Sequence, residues 1–338
     1  MTTIRPLGPI SDFVAEGHLA RALETPKSLP TEVNRLLANL YNGTMSPKDI
    51  TEDDKHPAWH AIARLDATMI EMGVAHSGFF PSPDLAALVN SLSGMEPPIL
   101  KYDDLIFANP PDDLRMFMRG ELGDVEREFY RQQLLSDAAI GRAATRVQAA
   151  LGAFAKSEPE AAADALEGVR QDLREAILAL KETGKIYEEQ FAVIRVYWKT
   201  HPIRNLKGPS GAFSSNMPTL ELLLWGDKTL PLHESYLRDN WLYFPTIGRP
   251  GLTDAITRST NATTLVALWR ANGRCEALKQ HIRDIGNFCN AFRAAHYRVA
   301  AKVIPKAISN ETPGTSQPEP GKFLRMRMEK FKFREEEL

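Results

Sequence analysis

The stretch that decides the fold runs from residue 278 to 303, LKQHIRDIGNFCNAFRAAHYRVAAKV. Leu278, Ile282, Ile285, Cys289, Phe292, His296, Val299 and Val303 succeed one another at spacings of 4, 3, 4, 3, 4, 3 and 4. That is the repeat of one helix face, not the alternation of a strand. An apolar seam of this kind buries itself against other helices, and its one ionisable member is His296. A lone histidine on such a face is commonly a core residue bonded to a neighbour. A neutral imidazole on a rigid helix can instead coordinate a haem iron through one ring nitrogen, the other nitrogen taking an acceptor. In that reading Phe288 and Phe292 line a porphyrin face, and Arg293, Arg298, Lys302 and Lys306 reach toward its propionates.

Outward from the seam, the helical pattern extends back to about Asn261 with an interruption expected at Gly273. Runs rich in Ala, Glu, Arg and Leu predict long helices over 124–156 and 159–199, the second with a break at Gly184. Met217 to Trp225 and Leu230 to Phe244 predict two more, and FLRMRMEKFKFREEEL predicts a charged terminal helix. Before about residue 120, Thr31, His56-Pro57 and Ser82-Pro83 open short helices, and Asp104 to Ala108 is the one strand candidate. The expected architecture is all-α: a small, mostly helical domain over 1–120 and a large helical domain over 121–338.

Composition narrows the function classes. In 338 residues, 43% hydrophobic and 25% charged, there is enough apolar material for a sizeable core. The net charge of −2, with Lys and Arg dispersed, argues against nucleic acid or an anionic membrane as partner. Cys275 and Cys289 form neither a disulfide framework nor a zinc motif, which suits a reducing compartment. MTTIRPLGPISDFVAEG lacks the basic start and apolar run of a signal peptide, and no apolar run approaches a membrane span. A cytoplasmic location is expected; the oligomeric state stays open.

Three segments carry a resemblance: RVYWKTHPIR at 195–204, SSNMPTLELLLWG at 214–226 and NAFRAAHYRVAAK at 290–302. Their order and spacing resemble the monodechloroaminopyrrolnitrin synthase-like family, within the haem superfamily of indoleamine and tryptophan 2,3-dioxygenases. The likeness covers about a third of the chain. It implies an indoleamine 2,3-dioxygenase-like helical domain holding haem b, with His296 as the axial ligand. It further implies an aromatic L-amino acid (tryptophan, tyrosine or a derivative) as substrate, O₂ or H₂O₂ as oxidant, and a role in secondary metabolism. Relatives that tether haem covalently use a Cys four residues after the His; position 300 here is Ala, which implies non-covalent haem. The family's Gly-rich turn after the proximal helix corresponds to Thr312–Pro318, where Gly314, Thr315 and Ser316 supply a small turn able to hydrogen-bond cofactor or substrate, without the following glycines.

The polar, Gly- and Ser-rich segment 201–216 is the expected distal loop, since long loops in helical domains tend to be functional. Arg204 can hold a substrate carboxylate as a bidentate pair, and Ser210 and Ser214 can hydrogen-bond oxygen or an ammonium. Gly208 and Gly211 allow close backbone approach to a porphyrin, and Phe213 can stack on an indole or phenol. His76 is a candidate distal base or a loop residue; His60, His201, His233 and His281 suggest no site. Cys289 reads as a small core residue. Dioxygenation, hydroxylation and oxidative rearrangement stay open. So do two other classes, a haem or small-ligand sensor without turnover and a helical interaction protein.

Overall fold

The computed structural model describes Tyr102, Leu105, Ile106, Asn109, Asp112, Leu114 and Met116, then residues 120–195, 207–226, 230–271, 275–309, 319–330 and 332–334. The helices expected at Thr31, His56 and Ser82, with His60 and His76, lie outside the described residues. Every regular element described is helical, and none of these helices is long and apolar enough to cross a membrane.

The longest helix, α1 (Gly120–Ala155), buries Tyr130, Asp137, Ile140, Ala144, Val147, Leu151 and Phe154 along one side. Next come α2 (Pro159–Glu167) and α3 (Val169–Thr183), divided at Gly168 where one unbroken helix was expected. The physical reason is a close approach. The Arg146 guanidinium occupies the space a β-carbon at Gly168 would need. From there Arg146 Nε bonds Asp172 at 2.8 Å, and Arg142 Nε bonds the other carboxylate oxygen at 2.8 Å, fastening α1 to α3. The break expected at Gly184 is present, and α4 (Glu188–Ile194) follows.

Helix α5 (Asn216–Trp225) buries residues on all sides, Leu220 through Trp225 included, so it is a central helix rather than an amphipathic one. It stops at Gly226, whose φ of +49° favours glycine; a β-carbon there would also strike Thr264. Beyond it lie α6 (Leu230–Asn240), α7 (Arg249–Thr260) and α8 (Leu265–Ala271). The pattern expected from about Asn261, with an interruption at Gly273, corresponds to α8, which begins only at Leu265, and to the seam itself, which forms α9 (Glu276–Val303). Helices α1 and α9 both pack along α3, and α5 packs along α1 and α7. A short α10 (Pro305–Ile308) leads to α11 (Pro320–Lys330), which lies against α9.

Two expectations change. Within the stretch read as a strand, the two described residues are not extended: Leu105 and Ile106 are π-helical, and Tyr102 before them is helical. Both of these adjacent side chains are buried in one cluster with Tyr130, Phe191 and Ile194, a demand that strand alternation cannot meet. The terminal helix also ends sooner, at Lys330, and residues 332–334 are irregular. Phe333 there stacks on Trp225 at 5.3 Å and fills space left open by Gly286. Asn290 clasps it, accepting from Phe333 N at 2.9 Å and donating to its carbonyl at 3.0 Å.

Candidate functional site

Between α1 and α9, which both pack along α3, lies an interior space. It has a volume of about 260 Å³, just under the usual range for small-molecule pockets of roughly 300–1,000 Å³. One wall is α9, with Phe292, His296, Val299, Ala300 and Val303; the facing wall is α1, with Phe129, Tyr130, Gln133, Asp137 and Ile140. The loop before α5 closes one edge with Ser210, Gly211, Ala212 and Ser214, and α11 covers another with Phe323, Leu324, Arg327 and Met328.

His296 is half-buried and faces this space, with the Phe292 ring 6.3 Å from its own. It forms no hydrogen bond among the described residues. Burial, and then the Arg327 guanidinium, pull its pKa down to about 4, so the ring is neutral at physiological pH with a lone pair available. Behind it stands a buried charge group. Glu221, wholly buried on α5, accepts from Arg293 of α9 and lies 3.8 Å from Arg327 of α11. Burial, and then Arg327, press the Arg293 pKa well below its usual value, and the carboxylate compensates. Arg327 also lies over the rings of Tyr236 and Phe323, at 5.8 and 5.4 Å. The Tyr236 hydroxyl donates to the Ala212 carbonyl at 2.8 Å, so α6 ties the loop to the α11 cover.

Asp137, on the α1 wall, is a further ionisable group and only 4% exposed. Ser214 Oγ donates to one carboxylate oxygen, and Asn216 Nδ2 donates to the other at 2.8 Å. Burial, countered by these two bonds, raises its pKa to about 6. Tyr102 lies near enough for the Asp137 charge to add to the upward shift that burial gives its phenol.

Of the residues singled out in the sequence, the structure brings together His296, Phe292, Arg293, Ser210, Gly211 and Ser214 on this wall. Arg204 and Thr315 lie outside the described residues. Phe213 is placed elsewhere than expected: its ring is 1% exposed, stacked on Tyr243 at 5.0 Å and edge-on to Phe244, off the cavity. It anchors the loop rather than offering a face to a substrate. Ser210 Oγ accepts from Ala212 N at 3.2 Å, and Ser214 serves Asp137, so both hydroxyls have a structural task. Gly208 is buried away from the cavity. Of the four cations proposed for propionates, Arg298, Lys302 and Lys306 are exposed and off the cavity, and Lys302 donates to the Gly184 carbonyl. Phe288 packs into the core.

Asp137, Glu221, Arg327, Arg195 and Tyr102 were not found from the sequence. For Asp137 a signal exists: it interrupts the apolar face Tyr130, Ile140, Ala144, Val147, Leu151, Phe154 at helical spacing, as His296 interrupts its own. Glu221 likewise stands alone within an apolar helix. Arg327, in a densely charged segment, offers no such mark. Compared with known proteins, the chain matches no family model and no curated protein.

The donor set limits what can bind. Among the described residues no three His, Cys, Asp or Glu side chains converge, and a bare metal ion generally wants three or four protein ligands. An iron that arrives with four macrocycle nitrogens needs only one imidazole. A single neutral histidine in an apolar cavity with Arg195, Arg293 and Arg327 at its margin fits that second case.

Proposed function

We propose that this chain is a histidine-ligated, haem-dependent oxygenase acting on an aromatic L-amino acid. The observation that carries the reading is His296: neutral, without a hydrogen bond among the described residues, and facing an apolar cavity from the rigid α9. The motif likeness at 195–204, 214–226 and 290–302 supports the same assignment. His296 is the residue that would hold the iron. Phe292, Val299 and Ala300 offer an apolar surface beside it, and Arg327 and Arg195 are cations suited to propionates. Ala300 carries no thiol, so attachment there is non-covalent. When bound, haem supplies the activation of O₂ or peroxide.

The chain's own residues do the rest. Phe129, Ile140 and Met217 give an aromatic side chain a dry surface and exclude water. The Tyr236–Ala212 bond fixes the loop backbone at the cavity edge. Arg204 is proposed to receive the substrate carboxylate.

Absorption spectroscopy of the purified protein tests the reading. A Soret band that His296→Ala abolishes, with helicity unchanged by circular dichroism, is the expected result. A preparation that stays colourless after haem is supplied overturns it. L-Trp or L-Tyr should shift the band and yield product under O₂ or H₂O₂; a shift without product marks a sensor instead. Arg204→Ala should weaken amino-acid binding about tenfold or more while leaving haem bound.

A further inference from the structure

Asp137 poses a physical problem that the assignment above does not use. Its side chain is 4% exposed, faces the cavity, and is held by two neutral donors, Ser214 Oγ and Asn216 Nδ2. No Lys, Arg or His pairs with it among the described residues. A buried carboxylate without a counter-charge is costly, and hydrogen bonds from neutral groups offset only part of the cost. An ionised carboxylate has room for about four hydrogen bonds. Two are used, both by residues that fix the plane of the group, so the remaining acceptor positions are preorganised. The walls beside it are the aromatic and aliphatic side chains of Phe129, Tyr130, Ile140 and Met217.

We propose that Asp137 is the ammonium seat of the cavity, so that the site selects aromatic compounds bearing a protonated primary amine. The juxtaposition that carries this is a locked, nine-tenths buried carboxylate without a cationic partner among the described residues, set in an apolar wall. An ammonium supplies both missing elements: the opposite charge and donors for the open lone pairs. Ser214 and Asn216 are positioning residues, acting through Asp137, and Ser214 therefore does not reach the ligand as an independent donor. The assignment orients an amino acid as well as selecting it, because a site built to pair a charged group rejects analogues that leave that group empty. This inference rests on the cavity being the substrate site proposed above, though not on the iron.

The test is isothermal titration of the protein as purified with three ligand classes: L-Tyr and L-Trp; tyramine and tryptamine, which keep the amine alone; and 3-(4-hydroxyphenyl)propionate and indole-3-propionate, which keep the acid alone. Asp137→Asn should weaken the amines and amino acids by about tenfold or more, the size of a lost charge-assisted bond. The two propionates should be unaffected or bind better. Ser214→Ala, which leaves the charge in place but frees its orientation, should weaken the amines by a smaller factor and keeps the test open if the Asn variant folds poorly. Equal loss for amines and acids, or amine binding unchanged in both variants, overturns the inference. Red protein that binds no amine also overturns it and leaves the haem assignment standing. Colourless protein with Asp137-dependent amine binding sustains the inference and removes the haem.

Discussion

Asp137 and His296 titrate in opposite senses within the same pH window. Asp137 holds its proton up to about pH 6 in the folded chain and releases it near 3.8 when unfolded, so the stability linked to that proton is lost as pH rises from about 4 through 6. A two-unit displacement is worth on the order of 3 kcal/mol. In haem-free protein His296 does the reverse. Its folded value near 4 lies below the ordinary 6.5, so stability is lost as pH falls from about 6.5 toward 4. Across the shared window the folded chain keeps one proton on Asp137 while the unfolded chain keeps one on the histidine, and the two contributions largely cancel. Tyr102, the other titratable group beside Asp137, stays protonated throughout. Asp137→Asn removes one side of this balance. The difference in melting temperature between Asp137→Asn and the parent haem-free protein should therefore rise between pH 4 and 6 in favour of the variant, then level off. A difference independent of pH would show that Asp137 ionises normally in the fold.

At the scale of elements, the wall around the cavity is secured from the C-terminal side. Phe333 is 5% exposed, packs on Trp225 of α5 and sits in the notch that Gly286 leaves in α9. Phe333→Ala should cost about 3–5 kcal/mol, the usual loss for a buried phenylalanine, and lower the melting temperature by roughly ten degrees. An unchanged melt would mean this segment does not bind the two helices together. The seam of α9 was legible in the sequence because its period is unbroken over eight positions. Gly184 was legible as a break because glycine ends helices, whereas Gly168 breaks its helix to admit Arg146, a partner far away in sequence. The π-helical Leu105–Ile106 turn and the irregular backbone at Phe333 were hidden for the same reason: tertiary burial overrode local pattern. Cavity residues divide in the same way between local pattern and tertiary docking. His296 stood out as a charge-capable residue in an apolar stripe, and Asp137 meets the same criterion on α1. Arg327 reaches the cavity only through the docking of α11, which no local pattern announces.

For the whole molecule, three helices that do not adjoin in sequence, α1, α5 and α9, bring ionisable groups toward the same interior: the buried Asp137, Glu221 and Arg293 and the half-buried His296. Glu221 is offset by Arg293 and sits near Arg327, Asp137 is proposed to await an ammonium, and the neutral His296 is proposed to await a metal that brings its other ligands with it. Buried ionisable groups of this kind are expensive, and their convergence on one cavity marks it as the candidate functional site. The assignment of the iron ligand is the point on which the proposed activity turns. Its most direct measurement is the absorption spectrum of His296→Gly protein supplied with haemin, recorded with and without added imidazole beside the parent protein. The account predicts that the parent forms a one-to-one complex, that the glycine variant does not reproduce its spectrum, and that free imidazole, entering the vacated space, restores it. A glycine variant whose spectrum and haem stoichiometry equal the parent's without imidazole would contradict the account.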